Sequence, residues 1–159
     1  MKFICPLIVV ADMPRARHFY EQVLNQTMKY DFGENVTYQG DFAIHQQSHF
    51  SRLIDEKPMV APSNSFELYF EEDDLLPLID KLKAYGVEFV HELREQPWRQ
   101  RVVRFYDPDH NMIEIGESME YLCFRLYKEG ASVEELAQIS NMPVSFVNAA
   151  IAQFINQEL

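Results

Sequence analysis

Residues Phe105 to Ile115 read FYDPDHNMIEI, and the way Glu114 is accommodated near the end of that stretch decides how the rest of the chain folds. Asp-Pro-Asp-His-Asn is turn chemistry: Pro108 fixes φ, and the Asp and Asn side chains can bond nearby backbone, so a strand is expected to begin near Met112. Alternation then puts Ile113 and Ile115 on one face and Met112, Glu114 and Gly116 on the other. A carboxylate among apolar neighbours has to be solvated, paired or metal-bound, because a lone buried charge is too costly. Glu114 is therefore either a surface-facing strand residue or a group inside a cavity.

Working outward, 159 residues with 47% hydrophobic composition suit one domain plus an appendage with a proper core. The net charge of −11 argues against a nucleic-acid partner, which needs clustered Lys and Arg. No stretch approaches the roughly 20 apolar residues of a membrane span, and the N-terminus lacks the pattern of a signal peptide. Cys5 and Cys123 form no framework, which fits a reducing compartment and a cytoplasmic location.

KFICPLIVV reads as a strand. ADMPRARHFYEQVL reads as a helix capped by Asp12, with Pro14 in its first turn and a stripe through Ala16, Phe19, Tyr20, Val23 and Leu24. Strand-like runs MKYDF, NVTYQ and FAIHQQ follow, separated by Gly33-Glu34 and Gly40-Asp41. A loop is expected from about Ser51 to Asn64, after which the order repeats. SFELYFEE is a strand, DDLLPLIDKLKAYG a helix ending at Gly86, and VEFVHEL, RVVRFYD and NMIEIGE are three more strands. An offset of 62 lays Cys5 on Glu67 and Asp12 on Asp74, which suggests duplication of one unit with a shared core.

The strand-to-helix stretch IVVADMPRARHFYEQVL, the acidic-capped repeat FELYFEEDDL and the FYDPDHNMIEI turn and strand together resemble the glyoxalase/bleomycin-resistance/extradiol-dioxygenase superfamily, also called the vicinal oxygen chelate fold. The resemblance implies an α+β fold: two βαβββ modules, about residues 1–50 and 64–118, whose strands form a curled mixed-sheet cavity. Residues 119–159 are left as an all-helical C-terminal extension. It also implies that the first and last strands of each module carry the site, which here means Cys5, His45, Glu67 and Glu114. Alternation allows each of these side chains to lie on one face of its strand. As ligands they would hold a divalent metal, with zinc, nickel, manganese and iron as the candidates. Metal-dependent relatives carry histidine at both first-strand positions, where this chain has Cys5 and Glu67. Cys5 also reads as a small buried apolar residue, and His45 as an ordinary satisfied histidine.

With a metal, the resemblance implies a lyase or isomerase that chelates a substrate through vicinal oxygens, with Glu67 or Glu114 as base. In the metal-free branch the cavity binds a drug or metabolite without turnover, with Tyr69, Trp98, Tyr106 and Phe50 as walls. Arg104, opposite Val103 and Phe105 on its strand, is a candidate anchor for an anionic substrate, whereas the Arg-rich run around it also reads as a solvated edge with local ion pairs. Relatives are expected to have glycine near Arg99 and at the positions of Asn25 and His110.

Beyond Glu120 the pattern is helical. YLCFRLYKEG ends at Gly130, Ser132 and Glu135 have capping-box spacing, and SVEELAQISNMPVSFVNAAIAQF has the outline of a helix-turn-helix. Its last helix carries no Lys or Arg, which opposes a role as a transcriptional regulator. Phe124, Leu126, Phe146, Val147, Ile151 and Phe154 need burial, against the preceding domain or in a homodimer.

Overall fold

The structure is a computed structural model, and it describes residues 1–158. The duplication read from the sequence is present as two four-stranded sheets with helices, an α+β fold followed by three further helices. The first sheet has the order β1-β4-β3-β2 and comprises β1 Leu7–Val10, β2 Met28–Asp31, β3 Asn35–Tyr38 and β4 Ala43–Gln46. The second comprises β5 Ser63–Glu71, β6 Phe89–Glu95, β7 Arg101–Tyr106 and β8 Asn111–Gly116, in the equivalent order β5-β8-β7-β6. In the first sheet β1 and β4 are parallel, with Leu7 opposite Ala43 and Val9 opposite His45, and the other pairings are antiparallel. No described helix is long and apolar enough to cross a membrane.

Contacts divide the described residues into two compact units: residues 1–67, 81–88 and 105–113, and residues 68–80, 89–104 and 114–158. In the first unit, Ile8 and Val10 of β1 are buried while Leu7 stays exposed, as alternation requires. They join Phe19, Tyr20, Val36, Tyr38, Ile44 and Phe105. Aromatic rings meet edge-on or tilted within this core, Phe19 against Tyr20 at 5.2 Å and Tyr20 against Phe42 at 5.4 Å.

The first helix departs from expectation. Asp12 caps it, accepting from Arg15 N, but α1 is regular only over Met13–His18 and continues as a π-helical turn over Phe19–Val23. The wider turn, closed by Leu24 N donating to Phe19 O, accompanies burial of Phe19, Tyr20 and Val23 together. The segment expected to be a loop from Ser51 is also corrected, since helix α2 spans Gln47–Leu53. This short helix has little periodicity of its own and packs through His49 and Phe50 onto His45. Helix α3, Leu75–Tyr85, accepts Pro77 in its first turn and ends at Gly86, whose φ of +85° is open to glycine.

In the second unit, α4 Met119–Lys128, α5 Val133–Ser140 and α6 Val144–Glu158 build a core of their own. Leu122, Cys123, Leu126, Leu136, Val147, Ala150 and Ile151 are buried together, and Phe146 packs against them. Phe124 stacks on Phe154 at 5.3 Å. The apolar residues of the extension thus bury one another. The Ser132–Glu135 capping box forms as read, and Asn141 takes the left-handed conformation between α5 and α6.

Candidate functional site

The turn before β8 is held by its own carboxylate. Asp107 Oδ1 accepts the backbone N–H groups of Asp109 and Asn111, each at 2.8 Å, and Oδ2 accepts the Asn111 side-chain amide and the Tyr20 hydroxyl at 2.9 and 2.7 Å. Burial raises the pKa of Asp107 despite these donors. This local order delivers β8 in the register that buries Ile113 and Ile115 and turns Glu114 to the other face.

Glu114 is nevertheless buried, at 6% exposure, and its partner is the guanidinium of Arg104 on β7. Arg104 Nη1 lies 3.3 Å from His91 Nε2 on β6, while His91 Nδ1 is 2.8 Å from the carbonyl of Glu92. With Nδ1–H donating to that carbonyl, Nε2 keeps a lone pair that accepts from Arg104. Glu114, Arg104 and His91 thus form a row across β8, β7 and β6. Of the three answers open to a buried carboxylate, this one is pairing.

Tyr69, Trp98 and Gln100 lie together in the same unit. Gln100 donates to the Tyr69 hydroxyl at 3.0 Å and accepts from the Trp98 indole at 2.9 Å. Burial, followed by the charge of Glu71, pushes the Tyr69 hydroxyl up to about 12. Arg99 and Arg101 belong to the solvated edge: Arg99 pairs with Glu95 and Glu129, and Arg101 reaches Glu129.

His45 lies in the first unit, buried at the end of β4. Asn35 Nδ2 is 3.2 Å from its Nδ1, and its Nε2 is 2.8 Å from His49 Nδ1, the two rings stacking at 5.0 Å. With the Asn35 amide donating to Nδ1, the neutral ring carries its proton on Nε2 and donates to His49. Burial, then the neighbouring His49, lowers the pKa of His45. Cys5 and Glu67 are each half-buried in this unit, and the Tyr106 hydroxyl donates to Asn64 at 2.6 Å.

The first unit also holds a cavity of about 320 Å³. Leu7, Val9, Met59 and Phe66 give it apolar walls, and Asp109 and Asn111 supply polar groups. The sequence reading missed Asp109 and Met59 as site residues because both lie in segments read only as turn or loop. His49 of α2 packs on His45. The signal available in the sequence was the apolar run PMVAP in a stretch otherwise rich in polar residues.

A divalent metal does not fit the implied donor set as these side chains stand. Glu114 already faces a guanidinium, and both ring nitrogens of His45 are engaged by protein groups. Among the described residues, no three His, Cys, Asp and Glu side chains gather as an ion-holding group.

Several solved structures share this fold. A protein of unknown function from Agrobacterium tumefaciens str. C58 is 37% identical with a TM-score of 0.67, covering 74% of this chain and 94% of that chain. Two more distant structures show the fold alone. The fosfomycin resistance protein FosX from Mesorhizobium loti is 20% identical, with a TM-score of 0.55 and coverage of 74% and 92%. Lactoylglutathione lyase from Agrobacterium tumefaciens is 20% identical, with a TM-score of 0.56 and coverage of 74% and 93%. Comparison with curated proteins finds no match. Residues 3–120 match the glyoxalase-like domain, a span that takes in both repeated modules and the DPDHN turn, and the chain belongs to that family.

Proposed function

We propose that this protein binds a small organic molecule without a resident metal, and that the ligand occupies the cavity walled by Leu7, Val9, Met59 and Phe66. The observation that carries this reading is the cavity itself. Its volume of about 320 Å³ lies at the small end of ligand sites, and its walls are apolar with few polar groups, the usual composition of such a site. The Arg104–Glu114 pair supports the metal-free half of the reading, because a guanidinium already compensates the carboxylate that a metal would require. Arg104, Tyr69, Trp98 and Tyr106, expected from the sequence as recognition groups, are not among the residues that line this cavity.

The competing reading is a metal-dependent lyase or isomerase acting through Glu67 and Glu114. Protein purified without a histidine tag separates the two. Metal content well below one equivalent, together with ligand binding that a chelator does not change, is the expected result. Stoichiometric metal that disappears in Glu114→Ala, with product formation dependent on it, would replace this reading with the enzymatic one.

The reading includes a cytoplasmic homodimer. The two unpaired thiols fit a reducing compartment. Phe3, Ile4, Met28, Tyr30 and Phe32 of the first unit are exposed apolar residues of the kind that subunit contacts cover. Sedimentation at micromolar concentration gives a dimer mass; a monomer would remove this part.

A further inference from the structure

Gln47, the first residue of α2, stands on the wall of two adjoining spaces. One is the cavity of about 320 Å³; the other is an open cleft of about 300 Å³ to which Gln46, Ser48 and Ser51 also contribute, and Ala11 and Met59 line both. The polar side chains around them divide into those already used and those still open. Asp109 is the one ionisable residue of the two linings: its Oδ1 accepts the Ala11 backbone N–H and an Arg15 guanidinium N–H, both at 2.9 Å, and its Oδ2 is enclosed by protein, out of a ligand's reach. Gln46 Nε2 donates to Ala11 O at 2.7 Å, Asn111 Nδ2 donates to Asp107 and to Val9 O, and Ser63 Oγ lies 3.2 Å from Ser65 Oγ. The Gln47 amide and the Ser48 and Ser51 hydroxyls have no hydrogen-bond partner among the described residues, and Gln47 and Ser48 are exposed. An apolar cavity is thus continued by a cleft whose open side chains are all uncharged.

We infer that the site takes a neutral ligand with two ends, an apolar body held in the cavity and a carboxamide-like group that exchanges hydrogen bonds with Gln47 at the mouth of the cleft. This rests on the reading of the cavity as the ligand site and names the chemistry that the site selects. A primary amide both donates and accepts, and so do hydroxyls, so Gln47, Ser48 and Ser51 match a ligand group that does both. A carboxylate brings acceptors alone and an amidinium donors alone, which leaves half of that pattern unmet. Either would also give up water without meeting an opposite charge, because the one lining carboxylate is already paired with Arg15. Selection therefore falls against both signs of charge.

Three probes of one shape decide the matter: 3-phenylpropanamide, 3-phenylpropanoate and 3-phenylpropanamidinium, which share a body and a planar end and differ in charge. They are titrated calorimetrically into the wild-type protein in about 0.15 M salt, which screens the net charge of −11 beyond roughly 8 Å. The amide is expected to bind roughly tenfold or more tighter than either charged probe. The exposed Gln47 side chain bonds to nothing in the chain, so it is replaced without disturbing the fold. Gln47→Leu is expected to remove the preference, and Gln47→Glu to reverse it in favour of the amidinium. Equal affinity for the three probes in the wild type, or tighter binding of a charged one, would overturn the neutral-ligand assignment and leave the cavity reading standing. An amide preference that persists in both variants would overturn the assignment to Gln47. No binding of any probe would overturn both the assignment and the cavity as a ligand site.

Discussion

Arg125 of α4 places its guanidinium on Glu117, with Nη2 to Oε1 at 2.6 Å and Nε to Oε2 at 3.0 Å, and the two side chains are only 8% and 1% exposed. The same guanidinium donates to the carbonyl of Arg99 and to Glu129, while Glu117 also accepts the backbone N–H of Arg101. The pair therefore ties the first helix of the extension to the strands that flank it. Removing one member of a buried pair strands the other charge, at a cost of about 3–5 kcal/mol. Arg125→Ala is expected to lose stability on that scale in urea denaturation, and Arg125→Met with Glu117→Leu to lose much less. A single variant within about 0.5 kcal/mol of wild type would show that the bridge holds nothing in place.

The Arg104–Glu114 pair makes a parallel case with a different consequence. Glu114 is the more buried partner, with a side chain 7% exposed against 22% for Arg104. Arg104→Ala then leaves the carboxylate without its cation, and a loss on the order of 3 kcal/mol is expected. Adding Glu114→Gln to that variant removes the stranded charge and is expected to recover part of the loss. A double-mutant cycle in chemical denaturation measures the coupling, and additive effects would disprove it.

His45 predicts a pH dependence with a definite sign. Its folded pKa lies below the ordinary histidine value, so between the two the unfolded chain binds a proton that the folded protein refuses. Stability is therefore full above about pH 6.5, the ordinary value, and declines as pH falls toward the depressed folded value. The His49 ring and Glu34 face the site from α2 and from the turn before β3, with His49 Nδ1 3.7 Å from Glu34 Oε2, and Asn35 faces it from β3. Thermal unfolding from pH 8 to pH 5 should show this decline in the wild type and a shallower one in His45→Gln. Parallel curves would mean that other groups produce the effect.

The repeated modules were legible because their elements combine local signals that agree: a strand alternation, a capped helix, and a turn whose residues bond their own backbone. The extension was legible for the same reason, through Ser132, Glu135 and Gly130. What escaped was tertiary in origin. Helix α2 owes its place to the stacking of His49 on His45, and the π turn at Phe19 accompanies the burial of three neighbours; neither leaves a mark in periodicity. The site was half legible. Alternation put Glu114 on the face away from Ile113 and Ile115, but no sequence pattern could say that its partner would be Arg104 rather than a metal. Asp109 was visible only as turn chemistry, although one of its oxygens is left without a donor beside a cavity.

The three positions where relatives were expected to carry glycine, Asn25, Arg99 and His110, have φ of +54°, +70° and +61°. The backbone keeps the left-handed conformation without the residue that adopts it freely, which costs roughly 1–2 kcal/mol for most side chains and less for asparagine. His110 is the clearest test. Its ring is exposed and meets only Glu88 at 3.6 Å and, at 5.9 Å, the Tyr106 ring, contacts worth little at the surface. Glycine there relieves the strain, and part of that gain is offset by the greater freedom of glycine in the unfolded chain. His110→Gly is expected to raise stability by about 0.5–1 kcal/mol, measured by urea denaturation. Arg99→Gly should gain less, because it also gives up the pairs with Glu95 and Glu129. Loss of stability in His110→Gly would mean that the turn draws more from the histidine ring than from relief of its backbone.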